Sequence, residues 1–232
     1  MKNLILSLVM LLSLKTWAQE TVMRTTHPNY VFTEKYEVLK SDKKIRQGVY
    51  KVFFNDTTIV AEGYYTNNMR TGLWNFYNAR GKMVQSFDYD LNQLDIKDTA
   101  DAKYVKTYIS NLSPTDTISP ALKIGGFFFG YYNYNSLNRD LGLTLRNNFG
   151  RDDYKLTHIL TLDAVGKVTQ HQVYVNMDGK EKMFDLDISK LTDEDRTFIP
   201  TKVNGKRSAC KLYFDTTLRM SISTTTTVVR RF

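Results

Sequence analysis

The 232 residues carry 32 Lys and Arg against 24 Asp and Glu, a net charge of +8. The excess is spread along the chain, and its densest tract, Lys40 to Arg46, is broken by Asp42, so the sharp basic stripe of a nucleic-acid interface is absent. A single cysteine, Cys210, excludes an intramolecular disulfide framework and leaves the fold to its hydrophobic core.

Lys2 and the apolar stretch Leu4 to Leu14, followed by Thr16-Trp17-Ala18, form the three zones of a cleavable secretory signal over residues 1–18. The apolar stretch is well short of the roughly 20 residues of a membrane span. Cleavage before Gln19 removes Lys2 and Lys15, and no cysteine follows that could be acylated. The expectation is an exported protein, periplasmic or otherwise associated with the outer envelope, not a lipoprotein, and without a membrane span once the leader is gone.

After an N-terminal extension (residues 19–33), residues 34–96 contain an internal repeat. A shift of 24 lays Arg46-Gln47-Gly48-Val49-Tyr50 on Arg70-Thr71-Gly72-Leu73-Trp74 and Tyr65 on Tyr89, without a gap. Each unit reads as strand, polar turn, strand, with turns at Asn55-Asp56-Thr57-Thr58 and Asn78-Ala79-Arg80-Gly81. Gly48-Val49-Tyr50, Gly63-Tyr64-Tyr65 and Gly72-Leu73-Trp74 resemble the Gly-x-aromatic pattern of MORN-type repeats over about residues 34–92. The resemblance implies a short antiparallel hairpin sheet in which aromatic rings stack from rung to rung. Tyr50, Trp74, Phe76 and Tyr77 then have two readings, core packing or ligand contact.

In residues 97–119, Val105, Tyr108, Ile109 and Leu112 recur at helical spacing behind a cap at Asp98 or Thr99. The spacing predicts a helix, followed by a linker bounded by Pro114 and Pro120. Residues 120–232 form the second half. Its glycine-rich opening, Gly125 to Gly130, lacks the spacing of a phosphate cradle. Leu137, Leu141, Leu145 and Phe149 predict a helix from a Ser136 cap to a Gly150 stop. Lys155 to Asp163 and Val168 to Val175 read as a hairpin, Phe184 to Thr197 as a weak helix, Ala209 to Phe214 as a strand, and Leu218 to Val229 as a last threonine-rich strand.

Pro120 to Gly126, the hairpin Ile159 to Val168, and Phe198-Ile199-Pro200-Thr201-Lys202-Val203-Asn204-Gly205-Lys206 resemble the C-terminal domain of the TonB family over about residues 115–216. That resemblance implies an exposed sheet edge to which a partner segment adds as a strand. Thr201 and Phe198 depart from the family's usual alanine and tryptophan, and the chain lacks a transducer's proline-rich spacer.

Of the three histidines, His158 and His171 stand on the two arms of the hairpin and read as structural rather than as zinc ligands. Asp152-Asp153 and Asp193-Glu194-Asp195 have no identifiable partner for acid–base work. The fold class is therefore α+β and β-rich: a MORN-like hairpin sheet, then a TonB-like domain of antiparallel strands with one or more helices. The expected function is that of a non-catalytic adaptor that recruits an envelope protein by strand pairing. It uses no catalytic residue, cofactor or metal, and its partner-binding residues are Tyr50, Trp74, Tyr77, Arg219, Thr225 and Thr227. The alternatives are envelope binding through the aromatic repeats and a hydrolase with an unrecognised site.

Overall fold

The computed structural model describes residues 19–28, 31–99, 103–131, 133–134, 137–150, 153–220 and 225–226; the expected signal segment (residues 1–18), Ser136, Asp152 and Thr227 lie outside them. The protein is β-rich, with antiparallel sheets and few helices.

Seven strands form the first sheet in chain order: β1 (Thr21–Thr26), β2 (Phe32–Leu39), β3 (Arg46–Phe54), β4 (Thr58–Thr66), β5 (Met69–Tyr77), β6 (Met83–Asp88) and β7 (Gln93–Ile96). The repeat maps onto it directly, because β3–β4 and β5–β6 are successive hairpins. Tight turns require positive φ, and asparagine tolerates it at Asn55, Asn67 and Asn68. One face carries the core: Tyr50, Val52, Val60, Ala61, Tyr65, Trp74, Phe76 and Phe87 are all buried. Trp74 has 0% exposure, and its ring lies against Tyr50 and Tyr65 at centroid distances of 5.5 and 5.3 Å. Gly63 makes room for it, since a Cβ there would stand 2.3 Å from the indole. The chain opens this sheet with β1, a strand in what the sequence presents as a bare extension.

The second sheet has the order β12 (Lys180–Leu186), β11 (Val168–Met177), β10 (Asp153–Leu162), β15 (Cys210–Met220), β16 (Thr225–Thr226), with β8 (Lys106–Tyr108) also on β15. A small third sheet joins β9 (Ile118–Ser119), β13 (Lys202–Val203) and β14 (Lys206–Arg207). The β10–β11 hairpin forms where alternation places it. Its turn is held by the Asp163 carboxylate, which accepts from the amides of Val165 and Lys167 at 3.0 and 2.8 Å. Helix α1 (Gly126–Gly130) and helix α2 (Asn138–Phe149) cover the sheets. Leu141 and Leu145 of α2 pack on Tyr154, Leu156, Val173 and Leu218, and Gly150 ends the helix at φ 68°.

Three sequence expectations are corrected. Residues 105–112 do not form a helix: Lys106–Tyr108 is a strand on β15, and Tyr108 and Leu112 are 58% and 38% exposed. The 3-4-3 spacing matched a helix, but the open rim of β15 offered this short segment backbone partners and hence a better-bonded state. Phe184 to Thr197 is likewise not helical. Its start lies in β12, and only a 3₁₀ turn at Ile188–Lys190 follows. Nor is Leu218 to Val229 one strand: Leu218 to Met220 close β15, and Thr225–Thr226 folds back on Arg219 and Met220.

Candidate functional site

The two halves meet at a seam built from the glycine-rich opening of the second. The Gln85 amide oxygen accepts from the amides of Gly125 and Gly126 at 3.0 and 2.9 Å. Both glycines have positive φ, which turns their N–H groups to the same side. Phe128 and Phe129 of α1 reach into the aromatic core of the first sheet. Beside this seam lies a cleft of about 540 Å³, within the usual size range of ligand sites. Arg46, Tyr65, Arg70 and Tyr89 of the first sheet line one wall, and Lys123 with the loop 192–197 lines the other.

Arg46 and Arg70 are repeat equivalents at the starts of β3 and β5. The Arg46 guanidinium lies 5.0, 5.4 and 5.3 Å from the ring centres of Tyr36, Tyr50 and Tyr65. Arg70 lies 4.6 and 5.7 Å from those of Trp74 and Tyr89. Such contacts stabilise by about 0.5–2 kcal/mol as desolvation increases. Arg70 also donates to the hydroxyls of Tyr65 and Tyr89 at 3.2 and 2.8 Å and pairs with Glu194 across the cleft. Burial opposes its charge, but the facing tyrosines and Glu194 outweigh it and push its pKa up. Burial pushes the pKa of the Tyr89 hydroxyl upward, so it keeps its proton and donates a hydrogen bond to Glu194 at 2.9 Å.

Lys123 is buried, and its ammonium donates to the carbonyls of Glu194, Asp195 and Thr197 at 2.7, 2.6 and 2.9 Å. Burial pulls its pKa down to about 7. The three carbonyls match the three donors of the charged form, so Lys123 braces the loop that presents Glu194.

A second polar cluster is enclosed in the C-terminal half. His158 Nδ1 and His171 Nε2 are 2.8 Å apart, and His158 Nε2 is 2.8 Å from the Thr216 hydroxyl. Both rings have 0% exposure, and His171 Nδ1 has no hydrogen-bond partner among the described residues. The alternation on β10 and β11 points both imidazoles into the core, where Phe214 stacks on His158 at 4.6 Å. No third His, Cys, Asp or Glu joins them among the described residues.

Of the residues expected to contact a partner, Tyr50 and Trp74 are corrected to core positions, at 3% and 0% exposure. They alternate toward the packed face of the sheet, where apolar burial outweighs display. Tyr77, half-buried on the other face, donates to Glu62 at 2.6 Å. Arg219 is paired to Asp153 on one side and to Thr226 on the other, and Thr225 pairs with Met220. Arg219 is therefore flanked on both sides within the sheet, whereas Thr225 lies in β16, which pairs with β15 and with no other strand among the described residues. Thr227 lies outside the described residues.

The sequence paired Arg46 with Arg70 and Tyr65 with Tyr89 but gave neither pair a role. It left Glu194 without a partner for acid–base work and gave Lys123 no role of its own within Pro120 to Gly126. Their only available signal was the repeat itself, since the second wall comes from a distant segment. No helix among the described residues is long and apolar enough to cross a membrane. Neither a protein-family model, nor a curated protein, nor a solved structure matches the chain.

Proposed function

We propose that this chain is an exported, non-catalytic binding protein of a cell envelope that recruits a protein partner by β-strand pairing. Its first sheet is a MORN-type stack, and its second half is a TonB C-terminal-like domain. The observation that carries the reading is the outer rim of β12. This strand pairs with β11 from His171↔Leu186 to Met177↔Lys180, and with no other strand among the described residues. Such a rim offers a partner a row of backbone donors and acceptors and demands little of its side chains.

Lys180, Glu181 and Lys182 guard the start of the rim against self-pairing. Met183 to Leu186 is the stretch a partner would join, and Met183 is 49% exposed. The test uses adjacent prolines, because successive amides on a strand point alternately inward and outward. Of Met183→Pro and Phe184→Pro, the variant that keeps the melting temperature has lost an outward donor. That variant should lose cross-links formed in native envelopes from a photo-reactive group at Glu181. Undiminished cross-linking from the stable variant rejects strand pairing at this edge.

A further inference from the structure

The structure assigns a carboxylate-binding clamp to Arg46 and Tyr65, on the wall of the cleft, independently of any strand pairing. The chain carries its own template for this. One repeat further on, the equivalent residues Arg70 and Tyr89 hold a carboxylate: Glu194 Oε1 is 2.5 Å from Arg70 Nη1 and accepts from the Tyr89 hydroxyl at 2.9 Å. That carboxylate comes from the other half of the molecule and plugs the second clamp.

The first clamp has the same parts. Arg46 lies over the rings of Tyr50 and Tyr65, as Arg70 lies over those of Trp74 and Tyr89. The Tyr65 oxygen accepts from Arg70 Nε at 3.2 Å. No described acceptor takes the Tyr65 proton, which leaves it for an incoming oxygen. No carboxylate of the described residues forms an ion pair with Arg46. Burial opposes the Arg46 charge, but Tyr50, Tyr65 and, after them, Glu34 outweigh it and push its pKa up. Glu34 is itself engaged by the hydroxyls of Tyr50 and Thr26 at 2.8 and 3.1 Å.

Arg46 is half-buried on aromatic rings, so a carboxylate reaching it meets a guanidinium already stripped of much of its water. A planar fork beside a hydroxyl donor suits two carboxylate oxygens. With about 540 Å³ in the cleft, the ligand is a small carboxylic acid or the acidic side chain of a short peptide. The flanking Glu34 carboxylate disfavours more highly charged anions such as phosphate.

Isothermal titration of the chain from Gln19 onward, which keeps every described residue, tests this with three probes. They are butyrate, a capped tripeptide with glutamate between two glycines, and orthophosphate. A carboxylate probe should saturate at one equivalent, and the tighter of the two identifies the source. Arg46→Gln and Tyr65→Phe should each weaken it by about tenfold or more. Glu194→Gln should raise the count to two by unplugging Arg70 and Tyr89.

Melting curves establish that each variant is folded; if Arg46→Gln is not, Tyr65→Phe carries the test, since it removes a single oxygen. The assignment falls if neither carboxylate binds, if binding is unchanged in folded Arg46→Gln or Tyr65→Phe, if orthophosphate binds as tightly, or if Glu194→Gln still takes one equivalent.

Discussion

The two large sheets bury polar chemistry in opposite ways. In the repeat sheet, aromatic rings form the core and permanently charged arginines lie across its rim, with their heads in a cleft. In the C-terminal sheet, the polar groups sit inside, as a neutral imidazole pair among leucines and rings. An arginine cannot lose its proton in the accessible pH range, whereas imidazole can gain one. The arginines of the first arrangement thus keep their charge across that range and suit display, and the imidazole pair makes the second sheet responsive to acidity.

Removing the centre of the aromatic core should break the comparison most severely. Trp74→Ala should destabilise the repeat sheet by about 3–5 kcal/mol, visible as an early first transition in thermal denaturation. The His158–His171 region should melt later, its NMR signals unchanged by the substitution. Acid should attack from the other side. Burial holds His171 down at about 4, and burial together with His171 holds His158 well below its ordinary value. An unfolded histidine takes its proton near 6.5. The unfolded chain therefore binds protons that the fold refuses as pH falls from about 6.5 to about 4.

Stability should be full above that window and decline through it, with His171 alone contributing about 3 kcal/mol of loss. Denaturant melts across pH should show the C-terminal transition falling first, and His171→Leu should flatten its profile. The smallest effect should come from the seam. Glu194 is half-exposed, so Glu194→Gln should cost under about 1 kcal/mol. It should nevertheless separate the two transitions in calorimetry, which sharpens the contrast between the sheets. A single merged transition in that variant would mean that the Gln85 amide contacts and Phe128 already couple them fully.

Much of this was legible in residue order, and the exceptions have physical reasons. The 24-residue shift found both hairpins because turn asparagines and alternating rings are local signals. The β10–β11 hairpin followed from period-two alternation and the Asp163 turn, and α2 from leucines four apart with Gly150 behind them. Residues 105–112 misled because apolar spacing over so short a stretch suits a helix and a half-covered strand alike. Their neighbour β15, about a hundred positions on, made the choice. The rim of β12 went unread because Phe184 to Thr197 looked weakly helical, and only pairing with β11 makes Lys180–Leu186 a strand.

Taken alone, the sequence determined the β-rich class, the repeat, and the pairing of Arg46 with Arg70 and of Tyr65 with Tyr89. These follow from short-range backbone preference and from alternation along single strands. Only the tertiary structure decided that Trp74 and Tyr50 are core, that His158 and His171 touch, and that Glu194 closes one arginine clamp while Arg46 faces the cleft without an ion pair from the described residues. Most of those facts join side chains from segments distant in the chain, and all depend on how the sheets pack rather than on any local pattern.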